Sequence, residues 1–154
     1  MKKEPFLTFK EEIAIEAAIS DVEKTTAAEI RVVVARKSAP KGIVGEEAIE
    51  AAKSRADQEF IIEGIGHTRE NTGVLIFISL DERYAAVRGG KAIGKITQEE
   101  WEKYIFIILE GIKAGKPGQG ITHAIREAGK MLAREFPVQP GDINEIPNHI
   151  IYKD

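Results

Sequence analysis

A chain of 154 residues with no cysteine is one domain's worth of sequence, long enough to bury about 70% of its unfolded surface without disulfides or thiolate-held metals. Its formal charge of −3, with basic residues scattered rather than striped, argues against nucleic acid as a partner. No run approaches the roughly 18 apolar residues of a membrane span, and Met1-Lys2-Lys3-Glu4-Pro5 leads into no apolar signal core, so a soluble, cytoplasmic protein is expected.

In chain order, Thr8-Phe9-Lys10-Glu11 reads as a capping box opening a helix whose Ile15, Ala18, Ile19 and Val22 share one face. That helix ends near Lys24-Thr25-Thr26, and the β-branched string from Glu29 to Arg36 reads as a strand. The segment Ser38 to Gly45, with a proline and two glycines, is a loop. A second predicted helix, Glu46 to Glu63, turns Ile49, Ala52, Ala56 and Phe60 inward and closes at Gly64. Val74 to Leu80 is the longest unbroken apolar run and predicts a strand buried on both faces. Asp81-Glu82-Arg83 turns it into a hairpin partner, Tyr84 to Val87.

Thr97-Gln98-Glu99-Glu100 is read as a second capping box, ahead of a stripe of Trp101, Ile105, Ile108 and Ile112. Gly115-Lys116-Pro117-Gly118 breaks that helix, and a fourth follows with Ile121, Ala124, Ile125, Ala128 and Leu132 inward, stopped at Phe136-Pro137. The tail, residues 137–154, carries Ile143, Ile146, Ile150 and Ile151, too many apolar groups for free chain, and is expected to dock on the body. Strand, helix, strand is a right-handed crossover, so the first strand should run parallel to Val74–Leu80 and the hairpin partner antiparallel. With two helices before the hairpin and two after it, the predicted fold is α/β: a compact three-layer α-β-α sandwich around a small mixed β-sheet, one domain over residues 1–154.

Several local strings then resemble one family. T-T-A-A-E-I (Thr25–Ile30) precedes the first strand, and G-I-G-H-T-R-E-N-T-G-V-L-I-F-I-S (Gly64–Ser79) leads into the central one. With the D-E-R turn, A-G-K-P-G-Q-G-I (Ala114–Ile121) and the tail P-G-D-I-N-E-I-P (Pro140–Pro147), they resemble the TPM domain in nearly its whole length. That domain is shared by a thylakoid-lumen acid-phosphatase-like protein, a photosystem repair factor and a receptor-associated modulator; the tail is similar to that of a soluble bacterial subgroup. The resemblance implies an α-β-α fold, divalent-metal binding, often calcium, and a disputed phosphatase activity. Many relatives have a signal peptide and a membrane anchor, which are not read here, in keeping with the cytoplasmic expectation. The chain departs from the pattern where it has Asn71-Thr72-Gly73 for Asp-Asn-Gly, and Gly89-Gly90 for Gly-Asp or Gly-Tyr-Gly.

The predicted topology puts Glu29, Asn71 and Gly89-Gly90 at one edge of the sheet. With Glu70 they are the candidate ligands for a hard cation, Ca2+ or Mg2+, through carboxylate, amide and backbone oxygens. The plainer reading is a solvated strand start beside an exposed turn. Gly89-Gly90-Lys91-Ala92-Ile93-Gly94-Lys95 fits G-x-x-x-x-G-K, but Ile96 stands where a magnesium-ligating hydroxyl belongs and the strand before it is antiparallel, so a loop feeding a helix is the better account. His67, His123 and His149 have no metal-ligand spacing, and Ser38, Ser54 and Ser79 no nucleophile elbow. The opposite edge, near Lys37 and Ser79, is the usual ligand crevice of α/β sheets and a rival location. The expected function is a TPM-like accessory or protein-interaction domain with a protein partner, weakly binding a divalent cation. The alternative is a metal-assisted phosphomonoester hydrolase.

Overall fold

Two apolar strings pair at the centre of the molecule because each is buried on both faces and can leave no backbone group unmet. The computed structural model describes residues 6–67, 71–141 and 150–154. Its elements are α1 (Phe9–Glu23), β1 (Glu29–Ala35), α2 (Gly45–Ile62), β2 (Gly73–Ser79), β3 (Tyr84–Gly89), α3 (Gln98–Lys113), α4 (Pro117–Glu135) and β4 (Ile151–Lys153). The sheet order is β3-β2-β1-β4. β1 runs parallel to β2 with Glu29 opposite Gly73, and β3 antiparallel to β2 with Gly89 opposite Val74. The crossover and hairpin are therefore those read from the sequence.

The fourth strand is not. Ile151–Lys153 lies parallel to the outer side of β1, Val33 opposite Ile151, and Ile150 before it is buried. Three residues are too few for any periodicity to show. Ile143 and Ile146 lie outside the described residues.

Strand alternation divides the interior. Ile30, Val32, Val34, Val74, Ile76 and Ile78 join the larger core, with α1, α3 and α4. Val33, Ala35, Leu75, Phe77 and Ala86 face the other way, where Ala56 and Phe60 of α2 cover them. The result is an α-β-α sandwich with three helices on one side and one on the other. Among the described residues, no helix is long and apolar enough to cross a membrane.

The inward faces of α1 and α4 are those expected. On α2 the buried line is Ala48, Ala52, Ala56 and Glu59, with Ile49 and Phe60 only half-buried. The alanines let α2 lie close to the sheet, and the rotation carries Glu59 inward to Lys153 of β4 and Arg55 of its own helix. On α3, Tyr104 is buried beside Trp101 while Ile105 and Ile112 are half-buried. The Tyr104 hydroxyl donates to Glu100 (2.8 Å), and Lys103 takes the other carboxylate oxygen (2.8 Å). Glu100 is thus drawn away from the helix start. Thr97 still caps it, accepting from the Glu100 amide at 3.1 Å, as half of the expected box. At Thr8 and Glu11 both halves are present.

The α3–α4 hairpin closes on two glycines. A Cβ on Gly111 would lie 2.6 Å from Cα of Gly120, backbone against backbone. Gly111→Ala gains about 1 kcal/mol of helix propensity but overpacks a contact that cannot give, so a net loss of about 1–2 kcal/mol in urea unfolding is expected. An unchanged midpoint would mean that the helices separate at a cost no larger than the propensity gain.

Candidate functional site

At the start of β1, the Glu29 amide donates to the Thr72 carbonyl at 3.1 Å, and the residue is 5% exposed. Asn71 sits just before β2 with φ 57°, a left-handed conformation that Asn tolerates, and its carbonyl accepts from the Ala92 amide at 3.0 Å. Gly90 follows β3, its amide bonded to the Gly73 carbonyl at 2.9 Å. The structure thus brings Asn71 and Gly90 into contact and sets Glu29 one strand away. Glu70 lies outside the described residues.

Both glycines have a packing reason to be there. A Cβ on Gly90 would fall 2.5 Å from the Asn71 carbonyl oxygen, and one on Gly89 would strike the side chain of Ile93. An aspartate at position 90, the residue common in the resembling pattern, does not fit without moving the turn. The same packing accounts for the glycine-rich string. Lys91–Lys95 is a single 3-10 segment, and Lys95 bonds the Glu135 carbonyl (3.0 Å), pairs with its carboxylate (3.5 Å) and lies over the Phe136 ring (4.5 Å). It is a tie to the end of α4 rather than a phosphate cradle.

Glu23, at the end of α1, belongs to this edge and sequence reasoning missed it. Its Oε2 accepts from the Ile30 amide at 2.8 Å, on the side of β1 away from β2, at a point that the short β4, opposite Val33–Ala35, does not reach. Its Oε1 is buried with no hydrogen-bond partner among the described residues. Burial, aided by the charge of Glu29 and opposed by the Ile30 amide, pushes its carboxyl up from 4.5 to about 7. Two carboxylates are therefore crowded where β1 begins. Among the described residues no three acidic or histidine side chains are grouped to hold a metal. His123 stands on the α4 surface, 3.5 Å from Glu127, and His149 is outside the described residues.

At the opposite edge an open cleft of about 680 Å³ lies between the β1–α2 loop and the hairpin turn, with Lys37, Lys41, Ile43, Val44 and Asp81 among its walls. Beside it Glu82 accepts from the Ser79 hydroxyl (2.5 Å) and from the amides of Ser38 (3.0 Å) and Ala39 (3.1 Å), while the hydroxyls of Ser38 and Ser79 are 2.6 Å apart. Burial works against the charge, but the Ser79 hydroxyl and these amides together hold the Glu82 carboxyl below its ordinary range. A carboxylate so well satisfied is a poor base for Ser38. It ties the turn to the loop.

A third group of charges lies between α2 and the strands. Arg31 bonds Glu63 at 2.7 Å; Lys153 reaches Glu63 (3.0 Å) and Glu59 (3.3 Å); Arg55 reaches Glu59 (3.3 Å) and the carbonyls of Lys37 and Asp154. Three cations share two carboxylates, and together they fasten β4 to α2.

None of the curated proteins matches this chain. Among solved structures, that of the BA42 protein from the psychrophilic bacterium Bizionia argentinensis is 33% identical, with 98% of each chain covered and a TM-score of 0.82. The N-terminal domain of a protein from P. gingivalis shares the fold at 16% identity, with 87% of this chain and 82% of that one covered and a TM-score of 0.59. The family model described as the TPM domain matches residues 1–131. The chain belongs to the TPM domain family.

Proposed function

We propose that this TPM domain is an interaction module rather than an enzyme, and that the start of β1 holds a weak site for a divalent cation. The observation that carries the cation reading is the Glu23–Glu29 pair, with a buried carboxylate oxygen of Glu23 lacking a hydrogen bond among the described residues. A cation there relieves the repulsion that holds the Glu23 proton on. Asn71 and backbone oxygens of the same edge are the remaining donors, and Glu70 of the original set is retained as one. Few carboxylates mean low affinity, in the range of about 10⁻⁴–10⁻³ M for calcium. What argues against catalysis is that Ser38, Ser79 and Glu82 are engaged with one another and that Lys95 is tied to α4.

The test is calcium and magnesium titrated against melting temperature at pH 7.5 and pH 5. With 1 mM calcium and a dissociation constant near 0.1 mM, the gain is about 1.4 kcal/mol at the higher pH, and it vanishes at pH 5, where Glu23 keeps its proton. Glu29→Gln should remove most of the gain. Asn71→Asp, which keeps the left-handed backbone and adds a carboxylate, should raise it. Calcium stabilisation that ignores Glu29→Gln would place the site elsewhere. Metal-dependent turnover of a phosphomonoester, lost in that variant, would instead establish the hydrolase that the family's phosphatase label suggests.

A further inference from the structure

β3 is an edge strand, and the register states which of its backbone groups look outward. The Gly90 amide bonds the Gly73 carbonyl, and antiparallel pairs alternate, so Arg88, Ala86 and Tyr84 bond to β2 while Ala85, Val87 and Gly89 turn their amides and carbonyls away from it. Of these, the Val87 carbonyl is met by the Arg88 guanidinium at 3.1 Å; the others meet no partner among the described residues. An open edge normally invites pairing.

This edge is recessed. α2 overhangs it on one face of the sheet and α3 on the other, leaving a groove of about 490 Å³ along the strand. The two walls differ in chemistry. The α3 wall presents Ile105 and Leu109; the α2 side carries Lys53 and Arg88, with Arg83 at the hairpin turn. Among the described lining residues Glu102 is the one acid; Arg88 is paired with Asp57 at 2.6 Å and Lys53 with Glu50 at 3.2 Å, both through exposed carboxylates.

We infer that β3 is a docking site for an extended segment of a partner protein, added to the sheet as a fifth strand, in which acidic residues alternate with apolar ones. A strand points successive side chains to opposite faces, so one set would lie on Ile105 and Leu109 and the other beside Lys53, Arg83 and Arg88. Backbone hydrogen bonds to Ala85, Gly89 and the Val87 amide supply the pairing, and the wall chemistry supplies the choice of sequence. A second copy of this chain is a poor occupant. Twofold pairing of β3 with itself keeps the α2 faces on the same side and sets Lys53, Arg83 and Arg88 against their own copies. This rests on the reading of the chain as an interaction module and names its surface.

The probe is a short blocked peptide of alternating valine and glutamate, followed by amide NMR shifts of the intact chain. Shifts are expected at Ala85, Val87, Gly89, Ile105 and Leu109. The valine–lysine peptide, or reversal of charge in Lys53→Glu with Arg83→Glu, should weaken binding by about tenfold or more. Ala85→Pro, which removes one outward amide and no bond to β2, should do the same, with melting temperature as the check on folding. Equal binding of both peptides, shifts elsewhere, no binding at millimolar peptide, or self-association of the free chain through the same amides would each overturn the inference. A chain that responds to calcium but not to the peptide keeps the cation site and loses this one.

Discussion

Glu63→Ala is expected to lower the free energy of unfolding by about 3–5 kcal/mol. Arg31 projects from a strand buried on both faces and is 7% exposed. Its Nη1 donates to Glu63, and its Nε meets no hydrogen-bond partner among the described residues. Removing the carboxylate leaves a guanidinium, which cannot shed its charge, inside the α2 layer. Lys153 loses its shorter contact at the same time and keeps only Glu59. Breaking one partner of a buried pair is costly, whereas replacing both by apolar groups often costs little. Arg31→Leu with Glu63→Leu should therefore recover most of the loss. Urea midpoints of Arg31→Leu, Glu63→Leu and the double variant measure this as a coupling. A single-variant loss under about 1 kcal/mol would mean that water reaches Arg31 and that the cluster behaves as a surface network.

That cluster also marks where sequence reasoning stopped. The interior strands were legible because Val32–Val34 and Val74–Ile78 are apolar at every position, which only a strand covered on both faces explains. Thr8 with Glu11, and the glycine and proline around Pro117, act within a few residues and were legible for that reason. Glu59 was not, because apolar periodicity favours Ile49 and Phe60 as the inward face and says nothing of a glutamate whose cations are Arg55 on its own helix and Lys153 at the end of the chain. A signal was present. Arg31 shares a strand face with Val33 and so must be buried, and a buried arginine demands an acid, which Glu59 and Glu63, four apart on one helix face, can supply.

The sheet edge divides in the same way. Parallel strands that begin together bring Glu29 level with Gly73, and the antiparallel return brings Gly89 and Gly90 back to them. This much followed from topology. The purpose of the glycines did not, since it depends on where the Asn71 carbonyl and the Ile93 side chain lie. Nor did Glu23, whose place beside β1 is set by how α1 packs on α4 and not by any spacing in the chain.

Glu23→Gln is expected to stabilise the protein above pH 7 and to change it little near pH 4. Burial and the neighbouring Glu29 raise the Glu23 carboxyl from 4.5 to about 7, so between those values the folded chain holds a proton that the unfolded chain releases. Where the native state binds more protons, stability falls as pH rises. The contribution is complete below pH 4.5, declines through the interval and is gone above about 7. The full shift corresponds to about 3 kcal/mol, and about 2–3 kcal/mol remains after discounting for the part of the side chain that water reaches. Glutamine keeps an oxygen for the Ile30 amide and has no proton to lose, so the variant should hold its melting temperature across pH 5–8 while the wild type declines. Glu29→Gln removes one cause of the shift, so the decline should still begin near pH 4.5 but end at a lower pH than in the wild type and be smaller in total, because a Glu23 carboxyl freed of that neighbour ionises more readily and costs less when it does. A stability difference between Glu23→Gln and wild type that is flat from pH 4 to pH 8 would show that the carboxylate is solvated. A variant less stable than wild type at pH 8 would show that its charge, bonded to the Ile30 amide, holds the edge of β1 in place.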